Sequence, residues 1–446
     1  MTSENMIQIN GTDFTLNGRK LILRGLGAGS WMNIEHFMLG IPGTEHLIKQ
    51  AFISVYGKQT AATLFDTFLT SFFTEADASF LEEIGINTLR IPVNHHYFLD
   101  DQQPEVYKES GFIYLDRTVN LCAKHGIRII IDMHTAPGGQ NPDWHCDTET
   151  GVPLFWEYGA LRTSFIHMWQ HIAGHYKDNP WIAGYDLLNE PALVPNQKLF
   201  SDFYIDLITA VRAIDSSHIL FIEGSNFARN FDSLDLADDS QSAFSFHYYP
   251  SVWHPEVLSE NFSSEERIKI YSDTLQNVLN VREHYNRPLW CGEMGIEFSQ
   301  QDIQFQQELT ELMIGLCEKN EVSWSFWAYK DAQCMGIVYP DSETPWMHLV
   351  TDIKKSWDQS SELPLGNKLI RNISKNYFCS LDEDTIYKLQ FRLRTLFHTM
   401  AVESFLKPAL QKQNVEELKN LSNSFLFENC KEWKEITDIL RKFCKK

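Results

Sequence analysis

Eight short runs of apolar, β-branched and aromatic residues recur along this chain, and stretches with helical periodicity separate them. The runs are 21–28, 86–93, 128–134, 182–190, 219–224, 243–249, 288–295 and 322–330. Runs that are apolar throughout, rather than alternating with polar residues, are typical of strands buried on both faces of a parallel sheet. Eight such strands connected by helices predict an α/β fold, a closed (β/α)8 TIM barrel.

The chain extends beyond these eight units at both ends. Near the N-terminus, short alternating runs are broken at Asn10-Gly11 and Asn17-Gly18, and this dipeptide is typical of hairpin turns. A single long helical stretch is expected over 44–73. The eighth unit ends near residue 358, so we predict a barrel domain over 1–358 with an N-terminal hairpin. The remaining residues, 359–446, are predicted to form an all-helical C-terminal extension.

The C-terminal extension differs from the barrel in charge. It contains 15 basic and 11 acidic residues, a net charge of +4, and the barrel carries the −25 that completes the total of −21. Within it, apolar residues step by three or four positions from Ile386 to Met400, so one helix face is apolar. Opposite charge favours docking on the barrel, and the apolar face equally fits an extension of the barrel core. Both interpretations predict that the extension packs on the barrel.

The net charge of −21 argues against nucleic-acid and anionic-membrane binding, because both require a basic surface. No stretch is long and apolar enough to span a bilayer. The first residues are polar and include Glu4, so we expect no signal peptide and a cytoplasmic location, or secretion if a leader has been removed. The eight cysteines include no Cys-x-x-Cys pair, and reduced thiols are therefore expected.

Two of the predicted strands end in a carboxylic acid. The fourth runs into Asn189-Glu190-Pro191, where the proline must stop the strand because it cannot donate to a sheet ladder. The seventh places Glu293 at the equivalent position, 103 residues later. Catalytic residues of barrels lie at the C-terminal ends of strands. Two carboxylates facing each other there at about 5–5.5 Å would suit a retaining glycosidase, one protonating the leaving oxygen and the other attacking the anomeric carbon.

The other strand ends carry polar or aromatic side chains suited to such a site. They are Arg90, His134, Asn189, His247, Tyr249 and Trp327. Arg90 and Tyr249 would hold Glu293 ionised, as a nucleophile requires. Glu190 has less compensation and would keep its proton, as an acid requires. Asn189 is placed to hydrogen-bond a sugar hydroxyl.

Several of these residues have a structural interpretation as well. Glu190 could cap the following helix, Arg90 could only bridge acids within the barrel, and Trp327 could be a core ring. His134 and His247 could indicate a metal, but no His-x-His or carboxylate-rich spacing accompanies them. We expect neither a metal nor a cofactor, because both catalytic roles belong to carboxylates.

Together these residues resemble the active-site signature of glycoside hydrolase family 5, the cellulase-type (β/α)8 retaining hydrolases, over about residues 10–358. The resemblance implies that Glu190 is the acid/base and that Glu293 is the nucleophile. It also implies that Trp327 forms the floor of the −1 subsite. His134 would contact the sugar bound there, and His247 would orient the acid/base.

A narrower resemblance is to the exo-β-1,3-glucanase branch of this family. The spacing Trp31-Met-Asn-Ile-Glu35 is similar to that branch, in which the glutamate binds the terminal sugar. The loop Ala136-Pro-Gly-Gly-Gln-Asn141 is also similar, whereas Asn141-Pro-Asp-Trp-His-Cys146 departs from the branch, so sugar and linkage stay open. A clamp at Glu35 would close one end of the pocket and imply exo action. The alternative interpretation of Glu35 is a solvated loop acid.

We expect a retaining β-glycosidase that acts on β-glucosides or β-gluco-oligosaccharides from the non-reducing end, as an exo-β-1,3-glucanase or β-glucosidase does. Its partner would be a small oligosaccharide or β-glycoside, and nothing in the sequence specifies an oligomer. The alternatives are an endo-β-glucanase or mannanase of the same family, a metal-dependent amidohydrolase, and a non-catalytic sugar-binding barrel.

Overall fold

The computed structural model of the protein describes residues 5–100, 102–232, 234, 239–259, 261–357, 362–377, 381–413 and 418–445. The strands, in chain order, are β1 (Gln8–Asn10), β2 (Asp13–Leu16), β3 (Arg19–Leu21), β4 (Arg24–Gly27), β5 (Thr88–Val93), β6 (Arg128–Met133), β7 (Ile182–Asp186), β8 (Ile219–Glu223), β9 (Ser242–Tyr248), β10 (Leu289–Met294), β11 (Ser323–Phe326), β12 (Val338–Pro340) and β13 (Cys430–Glu432). Strands β4 to β11 pair in sequence and close where β11 pairs with β4, all of them parallel. The predicted (β/α)8 barrel is confirmed.

The barrel strands are apolar throughout because the sheet is covered on both faces. Apart from the first residues of β4 and β6, every residue of the eight strands is buried. A strand buried on both faces has no polar side to alternate with. The C-terminal ends of these strands therefore share one rim of the barrel, where the candidate residues lie.

Helices surround the barrel and follow its strands. They are α1 (His36–Leu39), α2 (Glu45–Tyr56), α3 (Lys58–Phe72), α4 (Glu75–Ile84), α5 (Ser110–Lys124), α6 (Leu154–Glu157), α7 (Gly159–Tyr176), α8 (Gln197–Arg212), α9 (Ser225–Ala228), α10 (Pro250–Trp253), α11 (Ser264–Tyr285), α12 (Ile303–Lys319), α13 (Pro345–Lys354), α14 (Glu362–Tyr377), α15 (Glu383–Ala401), α16 (Lys407–Gln411), α17 (Leu418–Asn423) and α18 (Lys434–Cys444). The single helix expected over 44–73 is two helices, α2 and α3. Gly57 divides them because its φ of 82° lies in a region that a helix cannot continue through.

The N-terminal residues form a three-stranded antiparallel sheet, β1 to β3. Gly11 and Gly18 adopt positive φ angles of 60° and 71° at its two turns, as the Asn-Gly dipeptides predict. Ile7, Phe14 and Leu23 pack in one apolar cluster with residues that line the barrel interior, including Ile219 and Ala243 at the starts of their strands. This sheet therefore covers the N-terminal end of the barrel and leaves the opposite rim for the site.

The C-terminal extension shares the apolar core of the barrel. Phe425, Trp433 and Leu440 belong to the same buried cluster as the barrel strands, and α17 packs on α3 while α18 packs on α12. The extension is mainly helical, but it also contains β13, which pairs antiparallel with β12. The boundary predicted at 358/359 lies outside the described residues and stays a prediction.

None of the helices within the described part of the chain combines the length and apolar character that crossing a membrane requires. Of the cysteines, the seven that lie within the described ranges are free thiols, as expected.

Candidate active site

Arg90 lies at the centre of a buried charge network at the C-terminal rim. It is fully buried on β5, and its Nη1 donates to Glu293 Oε1 at 2.6 Å while Nη2 donates to Asn189 Oδ1 at 2.9 Å. Three further carboxylates lie near the same guanidinium, at 3.0–3.2 Å: Asp132, Asp186 and Glu223. Burial disfavours the charged form, but the surrounding carboxylates prevail and raise the pKa of Arg90 well above its ordinary value. Arg90 therefore both bridges acids within the barrel and contacts the candidate nucleophile.

Sequence reasoning did not single out Asp132, Asp186 or Glu223. Asp186 and Glu223 are the last residues of β7 and β8, and Asp132 is the last but one of β6. All three are fully buried. The signal was present in the sequence, because an acid that closes an otherwise apolar strand requires a partner once it is buried.

Glu293 lies near the end of β10 with both carboxylate oxygens engaged. Oε1 accepts from Arg90, and Oε2 accepts from the hydroxyl of Tyr249 at 2.8 Å. Its exposure is 6%, so the pairing takes place almost without water. The structure thus brings Arg90 and Tyr249 to Glu293, as the sequence predicts.

Glu190 is held in an unusual backbone conformation just beyond β7. Its φ is 48°, in the left-handed region that a residue with a side chain rarely adopts. Its backbone N–H donates to Glu223 Oε2 at 2.6 Å, and its carbonyl oxygen accepts from Asn141 Nδ2 at 3.0 Å. These two contacts fix the direction of the side chain towards the barrel axis, where it meets Glu293.

Two histidines contact the Glu190 carboxylate, one at each oxygen. His247 Nδ1 lies 2.6 Å from Oε1, and His145 Nε2 lies 3.1 Å from Oε2. Burial favours the neutral acid, but the charges and hydrogen bonds of both histidines outweigh it and lower the pKa of Glu190 well below its ordinary value. This corrects the expectation that Glu190 lacks compensation and keeps its proton.

The proton is held by the histidines instead. Burial lowers the pKa of His145, yet the hydrogen bond and charge of Glu190 raise it more, to about 9. Burial also lowers the pKa of His247, but the charges of Glu293, Glu223 and Glu190 raise it well above the ordinary value. His145, Glu190 and His247 therefore form one hydrogen-bonded group that carries protons at neutral pH.

His145 was not among the residues expected in the site. It lies in the segment 141–146, which departs from the exo-β-1,3-glucanase branch. The sequence shows this departure, but it does not show that His145 contacts Glu190. Asn141 Nδ2 lies 2.8 Å from His145 Nε2, and Gln140 Nε2 donates to the carbonyls of His134 and Asn189, both at 2.8 Å. The loop after β6 is thus tied to the ends of β6 and β7, which places His145 beside Glu190.

Glu190, His247 and Glu293 lie within a small space. One side-chain oxygen of each glutamate and one ring nitrogen of His247 all lie within 4.8 Å of one another. Two carboxylates and an imidazole could also hold a cation, although His247 Nδ1 already pairs with Glu190. The separation brings the two acids close enough to act on one bond.

Glu35, His134 and Trp327 form the other side of the site. His134 and Trp327 are stacked, with ring centroids 5.8 Å apart and planes inclined by 5°. His134 Nδ1 lies 2.6 Å from Asp132 Oδ2, and its Nε2 lies 3.6 Å from Glu35 Oε1. Asn189 uses its Oδ1 for Arg90 and places Nδ2 3.4 Å from the same His134 nitrogen. The structure therefore brings all nine predicted residues to one rim.

Glu35 is buried at 4% exposure, which contradicts its alternative interpretation as a solvated loop acid. Burial raises its pKa well above the ordinary value. Its Oε1 has no hydrogen-bond partner among the described residues. A buried oxygen without a partner costs stability unless a ligand group satisfies it.

Trp327 is seated against glycines of the first barrel strand and its loop. A Cβ atom at Gly27 or Gly29 would lie 2.6 Å or 2.7 Å from atoms of its ring. Only glycine at these two positions lets the indole lie flat beside His134, with 3% of the residue exposed. Trp327 therefore is both a packed ring and a wall of the site.

Comparison with known proteins identifies the relatives of this chain. The family model described as "Cellulase (glycosyl hydrolase family 5)" matches residues 53–333. A protein of Phanerodontia chrysosporium named "Beta-xylosidase" is 34% identical, over 95% of this chain and 95% of its own. A "Probable glucan 1,3-beta-glucosidase A" of Emericella nidulans is 28% identical, over 43% of this chain and 48% of its own. The crystal structure of endoglucanase Cel5A from Thermotoga maritima shares the fold, with a TM-score of 0.53 at 17% identity over 70% of this chain and 91% of its own. This chain belongs to glycosyl hydrolase family 5 and is a glycoside hydrolase.

Proposed function

We propose that this protein is a retaining, exo-acting β-glycosidase that hydrolyses β-glucosides or short β-gluco-oligosaccharides from the non-reducing end. One observation carries the mechanism: an oxygen of Glu190 and an oxygen of Glu293 lie within 4.8 Å of each other. Retaining glycosidases have their carboxyl groups about 5–5.5 Å apart, whereas inverting enzymes need about 6.5–9.5 Å to admit a water. The separation supports direct attack by one carboxylate on the sugar.

Glu293 is the proposed nucleophile. Its carboxylate attacks the anomeric carbon, the glycosidic C–O bond breaks, and the leaving oxygen takes a proton from Glu190. Water then attacks the same carbon, gives its proton to Glu190, and releases Glu293 from the ester. The hydrogen bonds from Arg90 and Tyr249 support this assignment, because they hold both oxygens of the carboxylate in place.

Glu190 is ionised in the free enzyme, so its acid role requires a proton from its neighbours. The protonated rings of His145 and His247 contact its two oxygens directly. We propose that one of them passes its proton to Glu190 as Glu293 attacks, because the negative charge of Glu293, which stabilises the imidazolium of His247, is lost while the ester forms. The same group takes the proton back during hydrolysis of the ester.

The position of Glu35 supports exo action, because we propose that this side chain binds the terminal sugar. This side chain is buried beside His134, and a sugar stacked on Trp327 would meet it with its terminal hydroxyls. The names of two relatives, a β-xylosidase and a glucan 1,3-β-glucosidase, support a terminal mode of attack.

The function can be tested with aryl β-glycosides of glucose, mannose, galactose and xylose, followed by β-gluco-oligosaccharides. We expect release of single sugars from the non-reducing end, first in the β-anomeric form by NMR. Release of internal fragments would contradict exo action, and first formation of the α-anomer would contradict retention. Activity should persist with a chelator present, and its loss would instead favour a cation between Glu190, His247 and Glu293.

Replacing Glu35 with alanine should raise KM for a short β-gluco-oligosaccharide by roughly 10-fold or more, because a hydrogen bond to a buried charged or polar partner is lost. Initial rates over a range of substrate concentrations measure the effect. Glu149→Ala is the matched control, since that side chain is 53% exposed and lies on the loop after β6. An unchanged KM in Glu35→Ala would contradict the clamp.

Replacing His145 with glutamine should shift the alkaline limb of the pH–rate profile to lower pH. His145 has a pKa raised to about 9, so it holds its proton below that pH and loses it above. Without the proton on His145, the proton for Glu190 must come from His247 alone. We expect kcat on a disaccharide to decline at least about one pH unit earlier than in the wild type. Identical pH–rate profiles of the variant and the wild type would show that His145 has only a packing role.

A further inference from the structure

A cavity begins at Ala192, two residues after Glu190. Its volume is ≈ 200 Å³, and it lies between the loops that follow β7 and β8. Its wall includes Leu193, Asn196, Asn226, Phe227 and Tyr387. Tyr387 comes from α15 of the C-terminal extension, and the other residues come from the barrel.

Hydrogen bonds connect the wall of this cavity to the candidate acid. Phe227 N–H donates to the carbonyl of Pro191, the residue after Glu190, at 3.2 Å. The ring of Phe227 also lies 6.3 Å from that of His145, which contacts Glu190 Oε2. An acid protonates the leaving oxygen, so the leaving group must lie on the acid's side of the scissile bond. Phe227 brings the cavity wall to this acid through His145 and Pro191.

The extension is fixed where it meets the site. Arg394 of α15 donates to Asp143 Oδ1 at 2.9 Å, and its guanidinium lies 5.6 Å from the centre of the Trp144 ring. Gly151 lies so close to the backbone of α15 that a Cβ there would be 2.7 Å from Arg392 N. The loop that carries His145 therefore packs on the helix that carries Tyr387.

The wall has the chemistry of a sugar site. Apolar surface from Leu193, Phe227 and Tyr387 can face the C–H side of a pyranose, and amides of Asn196 and Asn226 can reach its hydroxyls. Leu193, Asn226 and Phe227 have φ angles of 52°, 55° and 59°, which are costly for residues with side chains. Such conformations persist mainly where a binding site uses them.

We propose that this cavity is the leaving-group subsite, and that Tyr387 of the C-terminal extension is the platform on which the departing sugar ring stacks. The inference rests on the retaining mechanism proposed above. It gives the extension a role in substrate selection, in addition to its share of the core. The alignment with the β-xylosidase of Phanerodontia chrysosporium covers 95% of this chain, so it includes most of the extension.

Glycosyl transfer to a sugar tests this subsite separately from the rest of the reaction. In the second step, an acceptor hydroxyl replaces water: its oxygen bonds to the anomeric carbon, the ester to Glu293 breaks, and the hydroxyl proton goes to Glu190. With an activated aryl β-glucoside as donor and cellobiose as acceptor, the ratio of transfer product to free glucose measures acceptor binding. We expect Tyr387→Ala to lower this ratio about fivefold to tenfold, because a stacking contact is lost.

Tyr387→Phe should keep the ratio near that of the wild type, since it retains the ring. Tyr377→Ala is the matched control, because Tyr377 belongs to the same extension and is 80% exposed on α14. The aryl group leaves before the acceptor binds, so the ratio reports only how the glycosyl-enzyme divides between the acceptor and water. Folding is measured separately by the thermal unfolding midpoint, which should change little in all three variants. An unchanged ratio in Tyr387→Ala, or a wild type that hydrolyses the donor but never transfers it, would each overturn the subsite. A wild type that releases no aryl group from any of the four aryl β-glycosides would instead contradict the proposed function.

Discussion

Replacing Glu293 with glutamine is expected to abolish turnover, with a fall in kcat on the order of 10⁴-fold or more. An amide does not attack the anomeric carbon, yet the isosteric side chain can still accept from Arg90 and Tyr249, so the fold should survive. A 2-fluoro β-glycoside with a good leaving group should label the wild type with one glycosyl unit and leave the variant unlabelled. Intact-protein mass spectrometry measures both outcomes.

A second glutamine variant separates loss of the nucleophile from loss of any carboxylate. Glu256→Gln changes a side chain that is 52% exposed, and it should label as fast as the wild type. Peptide mapping should place the glycosyl group on Glu293. Labelling of Glu293→Gln at full rate, or a map that places the label on Glu223, would show that another group attacks the sugar.

Replacing Glu190 with alanine should affect substrates according to their leaving groups. Oligosaccharides leave as poor alkoxides that need a proton, so kcat/KM should fall about 10²- to 10⁴-fold. Activated aryl glycosides form the ester without that proton, and they should show a rapid burst of aryl release followed by slow hydrolysis. Stopped-flow absorbance follows both phases.

Azide provides an independent test of the same variant. It attacks without losing a proton, so it should restore turnover of the activated substrate in Glu190→Ala. Two successive inversions return the original configuration, and the product should therefore be the β-glycosyl azide. Equal losses on both substrate classes, or an α-azide, would contradict the role of Glu190. Glu157→Ala, which changes an exposed glutamate on α6, serves as the control.

The barrel could be predicted from the sequence because its signal is local. Each strand is an apolar run whose burial follows from its own residues, and several helices end at a local stop signal, as at Gly85 after α4. The residues at the strand ends are then the candidates for the active site, because parallel strands in a barrel end at one rim. This reasoning predicts Glu190 and Glu293, which the structure brings together. Arg90 was also predicted at a strand end, but it lies in the middle of β5, and only its long side chain reaches Glu293.

Two predictions were wrong, the protonated state of Glu190 and the single helix over 44–73, and both have the same physical origin. The sequence interpretation left Glu190 protonated because its neighbours in the chain supply no positive charge, whereas His145 and His247 reach it from 45 and 57 positions away. A break at Gly57 was missed because glycine also occurs inside helices, and only its φ of 82° divides α2 from α3. Electrostatics and backbone angles depend on partners that periodicity does not specify.

The sequence by itself determined the (β/α)8 architecture and the strand-end position of both acids, because burial and periodicity are properties of short segments. The apolar face predicted on α15 is only partly buried, since Ile386 is buried whereas Leu396 and Met400 are more than half exposed. The tertiary structure decided the separation of Glu190 and Glu293, the proton shared with two histidines, and the contact of Arg394 with Asp143 across 251 positions. Such contacts depend on which packed surfaces meet, and many arrangements of the same segments satisfy the local preferences equally well.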